Sequence, residues 1–280
     1  MSLGIVFKGP EGIVLAADSR VTLTTQVPSA PIIQVPNATP PNQNLLLTST
    51  FDNATKLLKV SGHDYVGVVT YGLGAIGLHQ PRTAHSFLPE FESDLQEPKR
   101  LKTSDFAAKL SGFFMGQWNS NMPKDYSGPD MVFLIGGFDE GEPYGRVFEV
   151  HIPGGPDPKE WHGDPGMFGP VWGGQLEFTN RLLQGFDPRL PALIKEKLGL
   201  SGEQAHDLET KVKNELNVPI PYQFLPLQDC VDLSIFLIRT TMTIQKWMVG
   251  VRGVGGAIDV ATITRTEGFK FIRQKTISGD

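Results

Sequence analysis

The chain opens with two apolar, β-rich runs, residues 3–7 and 12–17, separated by Lys8-Gly9-Pro10-Glu11. Glycine and proline favour a tight turn there, so the pattern predicts a hairpin with both strands buried. Residues 26–44 carry Pro28, Pro31, Pro36, Pro40 and Pro41 with few charges. Proline has no N–H to give a ladder, so this stretch is expected to be a long surface excursion, either loose or packed on a neighbouring subunit. Residues 56–60 and 65–71 read as a second hairpin turning at Ser61-Gly62-His63-Asp64. From Gly72 to about Leu95 the pattern reads as helical, kinked or interrupted at Pro81 and Pro89.

Thr103 or Ser104 is placed to cap a clearer helix, in which Phe106, Leu110, Phe113, Phe114 and Trp118 recur at helical spacing. That aromatic face is assigned to the core and not to a ligand. Residues 130–138 and 146–152 form a third hairpin, residues 153–170 an irregular Gly/Pro-rich connection, and residues 174–251 mainly helices. Residues 257–264 and 269–272 close the chain as a strand pair turning at Thr266-Glu267-Gly268. Strands, then helices, then strands predict an α+β arrangement in which a two-layer sheet core is buried between helical layers. No internal repeat is visible, and residues 1–280 read as one domain carrying a Pro-rich loop insertion at about 24–52.

Composition acts here by exclusion. With 25 Lys plus Arg against 30 Asp plus Glu, a formal charge of −5 and 40% hydrophobic residues, the chain is neither disordered nor collagen-like. No basic run exceeds Lys99-Arg100, so a nucleic-acid partner is not expected. Cys230 is the only cysteine, which excludes an internal disulfide and a cysteine-based zinc site and suits a reducing, cytoplasmic setting. Residues 3–7 are too short for the core of a secretory signal, and residues 231–251 contain Asp232, Arg239 and Lys246, so no membrane span is expected. His63, His79, His85, His151, His162 and His206 show no metal-like spacing with carboxylates. The glycines at 253, 255 and 256 lack the Lys-Ser/Thr and the following helix of a phosphate loop. No metal or cofactor is expected.

Candidate chemistry begins at Ser2, a residue small enough for the preceding methionine to be removed, which would leave a hydroxyl one carbon from a free α-amine. An α-amine titrates near ~7.7 to 8.0, so part of it is neutral at pH 7 and can take the proton of its own hydroxyl. A Met-Ser start alone means little. The second strand, however, ends abruptly in Asp18-Ser19-Arg20, and hairpin pairing brings Asp18 beside Ser2. A lysine between them would be held charged by Asp18 and would ease formation of a seryl alkoxide. Lys56 is the candidate and Lys59 the reserve; the bland alternative is a solvated lysine at a strand end. Arg20 is expected to fix the Asp18 carboxylate by a charge-assisted bond.

Residues 3–8 followed by Gly12-Ile13-Val14-Leu15-Ala16-Ala17-Asp18-Ser19-Arg20 resemble the N-terminus of proteasome β-type subunits and their bacterial relatives, a family of N-terminal-nucleophile (Ntn) hydrolases. The ungapped interval from Ser2 to Asp18 places Ser2 on the family's catalytic threonine. Ala54-Thr55-Lys56-Leu57-Leu58-Lys59-Val60 is similar to the segment bearing the family's catalytic lysine, and Val69-Thr70-Tyr71-Gly72-Leu73-Gly74 to the turn whose backbone N–H is the oxyanion donor, Gly72 matching best. Gly253-Val254-Gly255-Gly256-Ala257-Ile258-Asp259-Val260-Ala261 resembles the family's glycine pair before a late strand. The resemblance implies a four-layer αββα sandwich, a peptide or amide substrate attacked by Ser2 with Asp18, Lys56 and Gly72 in support, no cofactor, and self-assembly into a ring or short helical stack. The chain departs from the pattern where the family has helper serine and aspartate residues: here stand Gly173, Val251 and Val254. A catalytically silent assembly subunit and a small-molecule amidase are the rival expectations.

Overall fold

A computed structural model of the chain describes residues 2–28, 44–78, 80–95 and 100–277. Strands are numbered in chain order. One sheet comprises β1 (Leu3–Lys8), β2 (Ile13–Ala17), β10 (Gly169–Gly174), β11 (Asp259–Thr264) and β12 (Gly268–Arg273), in the order β10-β1-β2-β11-β12. The other comprises β5 (Leu57–Leu58), β6 (Val66–Gly72), β7 (Met131–Gly137), β8 (Arg146–Ile152) and β9 (Gly155–Trp161), in that order. All pairings are antiparallel.

Alternation along β1 and β2 sorts their side chains between two cores. Val6, Ile13, Leu15 and Ala17 face the second sheet and meet Val69, Val132 and Leu134. Leu3, Ile5, Phe7, Val14 and Ala16 face the helices α3 (Leu176–Leu183) and α6 (Leu227–Gln245). Burial on both faces is why these strands read as unbroken apolar runs. The sheets approach closely at Gly136, where a Cβ would lie 2.6 Å from Ile13 Cγ2 and 2.8 Å from Val6 Cγ1. The outer face of the second sheet is covered by α1 (Leu88–Leu95) and α2 (Thr103–Asn121), which bury Phe91, Phe106, Leu110, Phe114 and Trp118. The result is the expected four-layer αββα sandwich. Two further helices, α4 (Leu190–Leu198) and α5 (Gly202–Leu216), pack on each other and contain no buried residue. No described helix is long and apolar enough to cross a membrane.

Four expectations are corrected. The stretch from Gly72 to Leu95 is not one helix: Gly72 and Gly77 have φ of +83° and +103°, Ile76 and Arg82 exchange backbone bonds of 2.9 and 2.8 Å, and helix α1 starts only at Leu88. Pro89 sits in the first turn of α1, where a missing N–H costs nothing. Residues 153–170 are not irregular throughout, because β9 occupies most of their first half. Its prolines Pro156 and Pro158 are tolerated because β9 is a sheet edge. The ends of the 24–52 insertion form a two-stranded ribbon, β3 (Val21–Pro28) with β4 (Asn44–Phe51), in place of a loop. Residues 29–43, and with them most of the supposed excursion, lie outside the described residues, as does His79. The α2 cap also differs: the N-cap is Lys102, and Asp139 at the end of the β7 hairpin strand accepts from Thr103 N and Oγ1 at 2.6 and 2.7 Å.

Candidate active site

The register Gly4↔Ala17 puts Leu3 opposite Asp18, so the first hairpin delivers Asp18 to the residue following Ser2. Leu3 N donates to Asp18 Oδ1 at 3.0 Å, and Asp18 N donates back to Leu3 O at 3.3 Å. Lys56 Nζ donates to the same Oδ1 at 2.7 Å and to Arg20 O at 2.5 Å. Asp18 Oδ2 accepts from Arg20 N at 3.1 Å and from Gly255 N at 3.0 Å. Four donors thus hold a carboxylate that is 1% exposed, which is what a buried charge requires.

Lys56 precedes β5 and is 6% exposed, not a solvated strand end. Thr70 N bonds its carbonyl at 2.9 Å, and Ala54 N bonds Ser19 O at 2.9 Å, so its backbone is pinned to both sheets. Burial drives the Lys56 ammonium below its ordinary range. Asp18 opposes this by charge and hydrogen bond, while Lys275 and Arg20 push the same way as burial. Lys275 is itself paired with Asp259, which faces Ala17 in the β2–β11 ladder. Lys59, the reserve, pairs with Asp64 at 3.2 Å on the surface and takes no part.

Arg20 acts differently from expectation. Its backbone N–H holds Asp18, while its guanidinium binds Asp52 in a fork at 2.5 and 2.7 Å. The late glycines make room for that fork: a Cβ on Gly255 would lie 2.4 Å from Arg20 Cζ, and one on Gly256, at φ +75°, 2.3 Å from Asp52 O.

Ser2 is 6% exposed, and its carbonyl accepts from Gln175 N at 2.7 Å. Gly174, at φ +95°, passes so near that a Cβ there would be 1.9 Å from Ser2 O. This clasp by Gly174 and Gln175 was not anticipated; the adjacent Gly173-Gly174 pair was its one sequence signal. Gly173 fails to carry a helper side chain for a visible reason, since a Cβ there would lie 2.0 Å from Tyr71 Oη. Tyr71 is buried and donates to Glu149 Oε1 at 2.8 Å. Val254 is buried in the sheet–helix core and Val251 is exposed, so neither offers a polar group.

Gly72 ends β6. Leu73 N bonds Asp130 O on the β7 side, whereas Thr70 N bonds Lys56 O on the opposite edge. Strand alternation therefore turns the Gly72 N–H, two residues beyond Thr70, toward the edge where Lys56 lies. Asp18 and Lys56 are directly paired, Ser2 adjoins the Leu3 amide that Asp18 holds, and Gly72 lies two residues beyond Thr70, whose N–H bonds the Lys56 carbonyl. Among the described residues no cluster of metal-ligating side chains occurs.

No family model matches the chain, and no curated relative does. Solved structures do. An Anbu mutant from Hyphomicrobium sp. strain MC1 is 14% identical with a TM-score of 0.53, over 100% of this chain and 88% of that one. Anbu, described as an ancestral beta-subunit, from Yersinia bercovieri is 16% identical with a TM-score of 0.51, over 96% of this chain and 87% of that one. The chain shares the fold of Anbu. At such identities the likeness carries the fold alone, a proteasome-like αββα sandwich that is matched along nearly the whole chain.

Proposed function

We propose that the chain, once Met1 is removed, is a self-assembling Ntn hydrolase that cleaves peptide or amide bonds with Ser2 as nucleophile. The observation that carries this reading is the buried Lys56–Asp18 pair, which shares Oδ1 with the amide next to Ser2. In the reaction the Ser2 α-amine takes the Oγ proton as Oγ attacks the carbonyl carbon. The tetrahedral oxygen accepts from the Gly72 N–H, and Lys56 stabilises negative charge developing on Oγ. The protonated amine then gives its proton to the leaving nitrogen, leaving an ester on Ser2 that water hydrolyses by the same steps. Self-assembly is supported by exposed apolar side chains on segments that adjoin Arg20, Asp52 and Gly255 in the chain: Leu23 and Phe51 on the ribbon, and Trp247, Val249 and Val251 between α6 and Gly255.

A second reading, an assembly subunit without activity, is favoured by the apolar Val254 and by the Tyr71 ring occupying the helper position at Gly173. N-terminal mass analysis and assays on peptide and small amides decide between them. Turnover by a Met1-free protein that Ser2→Ala abolishes, with particle size unchanged, supports the hydrolase. Retention of Met1 in all molecules, or no turnover by either protein, refutes it.

A further inference from the structure

The end of the sandwich remote from Ser2 holds a cavity of 730 Å³, lined by Lys8 at the far end of β1 and by Arg100, Arg146 and Tyr144. Lys8 lies six residue steps of strand from Ser2, roughly 20 Å, so this is not the catalytic site. Lys8 is 2% exposed, yet its ammonium bonds only two carbonyls, His162 O at 2.6 Å and Asp164 O at 3.3 Å. Among the described residues no carboxylate approaches it within ion-pair distance. Burial and the Lys8 charge push its neighbour His162 below the ordinary imidazole range, so His162 adds no further positive charge beside Lys8. Arg100 gives Nη2 to Phe138 O and stacks on Tyr65, while its buried Nε has no partner among the described residues.

The deep acids of the cavity are already engaged. Glu160 accepts a two-pronged bond from Arg146, at 2.7 Å on each oxygen, and Asp139 is shared by Arg146 and Thr103. Glu140 and Glu142 are exposed on the β7–β8 turn. Lys8 and Arg100 thus lack an ion pair among the described residues, Glu160 and Asp164 acting on Lys8 only at longer range, in a concave site of the size that small ligands occupy. A buried ammonium without an anion is costly, and an oxyanion would relieve it.

We propose that this cavity is a second ligand site, independent of Ser2 chemistry, that binds a small oxyanionic molecule, phosphate- or carboxylate-bearing, between Lys8 and Arg100. The test is isothermal titration calorimetry of the intact protein with sodium pyrophosphate and, separately, trisodium citrate, the two arms telling a phosphate from a carboxylate ligand. Expected is saturable binding of at least one, weakened about tenfold or more by Arg100→Gln and by Lys8→Met, in line with losing a charge-assisted contact. Binding should be retained in Ser2→Ala, which separates this site from the catalytic proposal. Absence of saturable binding in both arms overturns the inference, as does binding undiminished by Arg100→Gln. The arginine variant decides the matter alone should Lys8→Met not fold.

Discussion

Asp18→Asn is the sharpest test of the site. The substitution keeps shape but replaces one carboxylate oxygen with an amide donor, so either the Lys56 and Leu3 donors or the Arg20 and Gly255 donors face an N–H. It also strips the counterion from a lysine that is 6% exposed. Removing one partner of a buried pair costs about 3–5 kcal/mol. At about 2–4 °C per kcal/mol for a chain of this class, the melting temperature should fall by roughly 6–20 °C. Replacing both partners by neutral groups is far milder, so Asp18→Asn/Lys56→Met should be more stable than the sum of its singles predicts, by about 2 kcal/mol. Urea denaturation of the four proteins, with calorimetry alongside, measures this. A single variant within about 1 kcal/mol of wild type, or strict additivity in the cycle, would show that the buried pair does not organise the site.

Lys56 also sets a pH signature. Its folded value lies below the 10.5 of an ordinary lysine, so between the two values the unfolded chain binds more protons and this group's contribution to stability rises with pH. Catalysis needs the ammonium, so the alkaline limb of kcat/KM should fall at a midpoint below 10.5; a limb at or above that value refutes the role given to Lys56. For Asp139, burial pushes the carboxyl up but the Thr103 and Arg146 bonds outweigh it and leave it low. Asp139→Ala should therefore cost about 1–3 kcal/mol above pH 3.8, and the penalty should shrink as pH falls through the depressed value; a pH-independent penalty in urea melts would contradict this. Gly174→Ala should cost about 1–3 kcal/mol and abolish turnover by displacing Ser2, and wild-type activity with an unshifted melt would count against the clasp. The Cys230 thiol is fully buried and pushed up to about 12, so it should resist alkylation until the protein unfolds; modification of native protein at pH 8 would disprove that burial.

Hydrophobic periodicity was enough to place the three main hairpins, α2 and the helical region after β10, because burial on one or both faces writes itself into local spacing. The nearness of Ser2 and Asp18 was legible for the same reason, since antiparallel register across a short turn is a local property. Lys56 was named as the lysine at the start of the second hairpin, with a family motif in support; its partners became visible only when strand β6 and the Ser19 carbonyl fixed its backbone. Proline content misled where tertiary context decides: Pro156 and Pro158 cost no ladder bond only because β9 lies at an edge, and edge position depends on the order of the whole sheet. The clasp of Ser2 by Gly174 and Gln175, the Tyr71 ring over Gly173, and the cavity that Lys8 and Arg100 both line join segments far apart in the chain. Sequence spacing governs which face a side chain takes, whereas what it meets there is decided by how the two sheets and their helices stack.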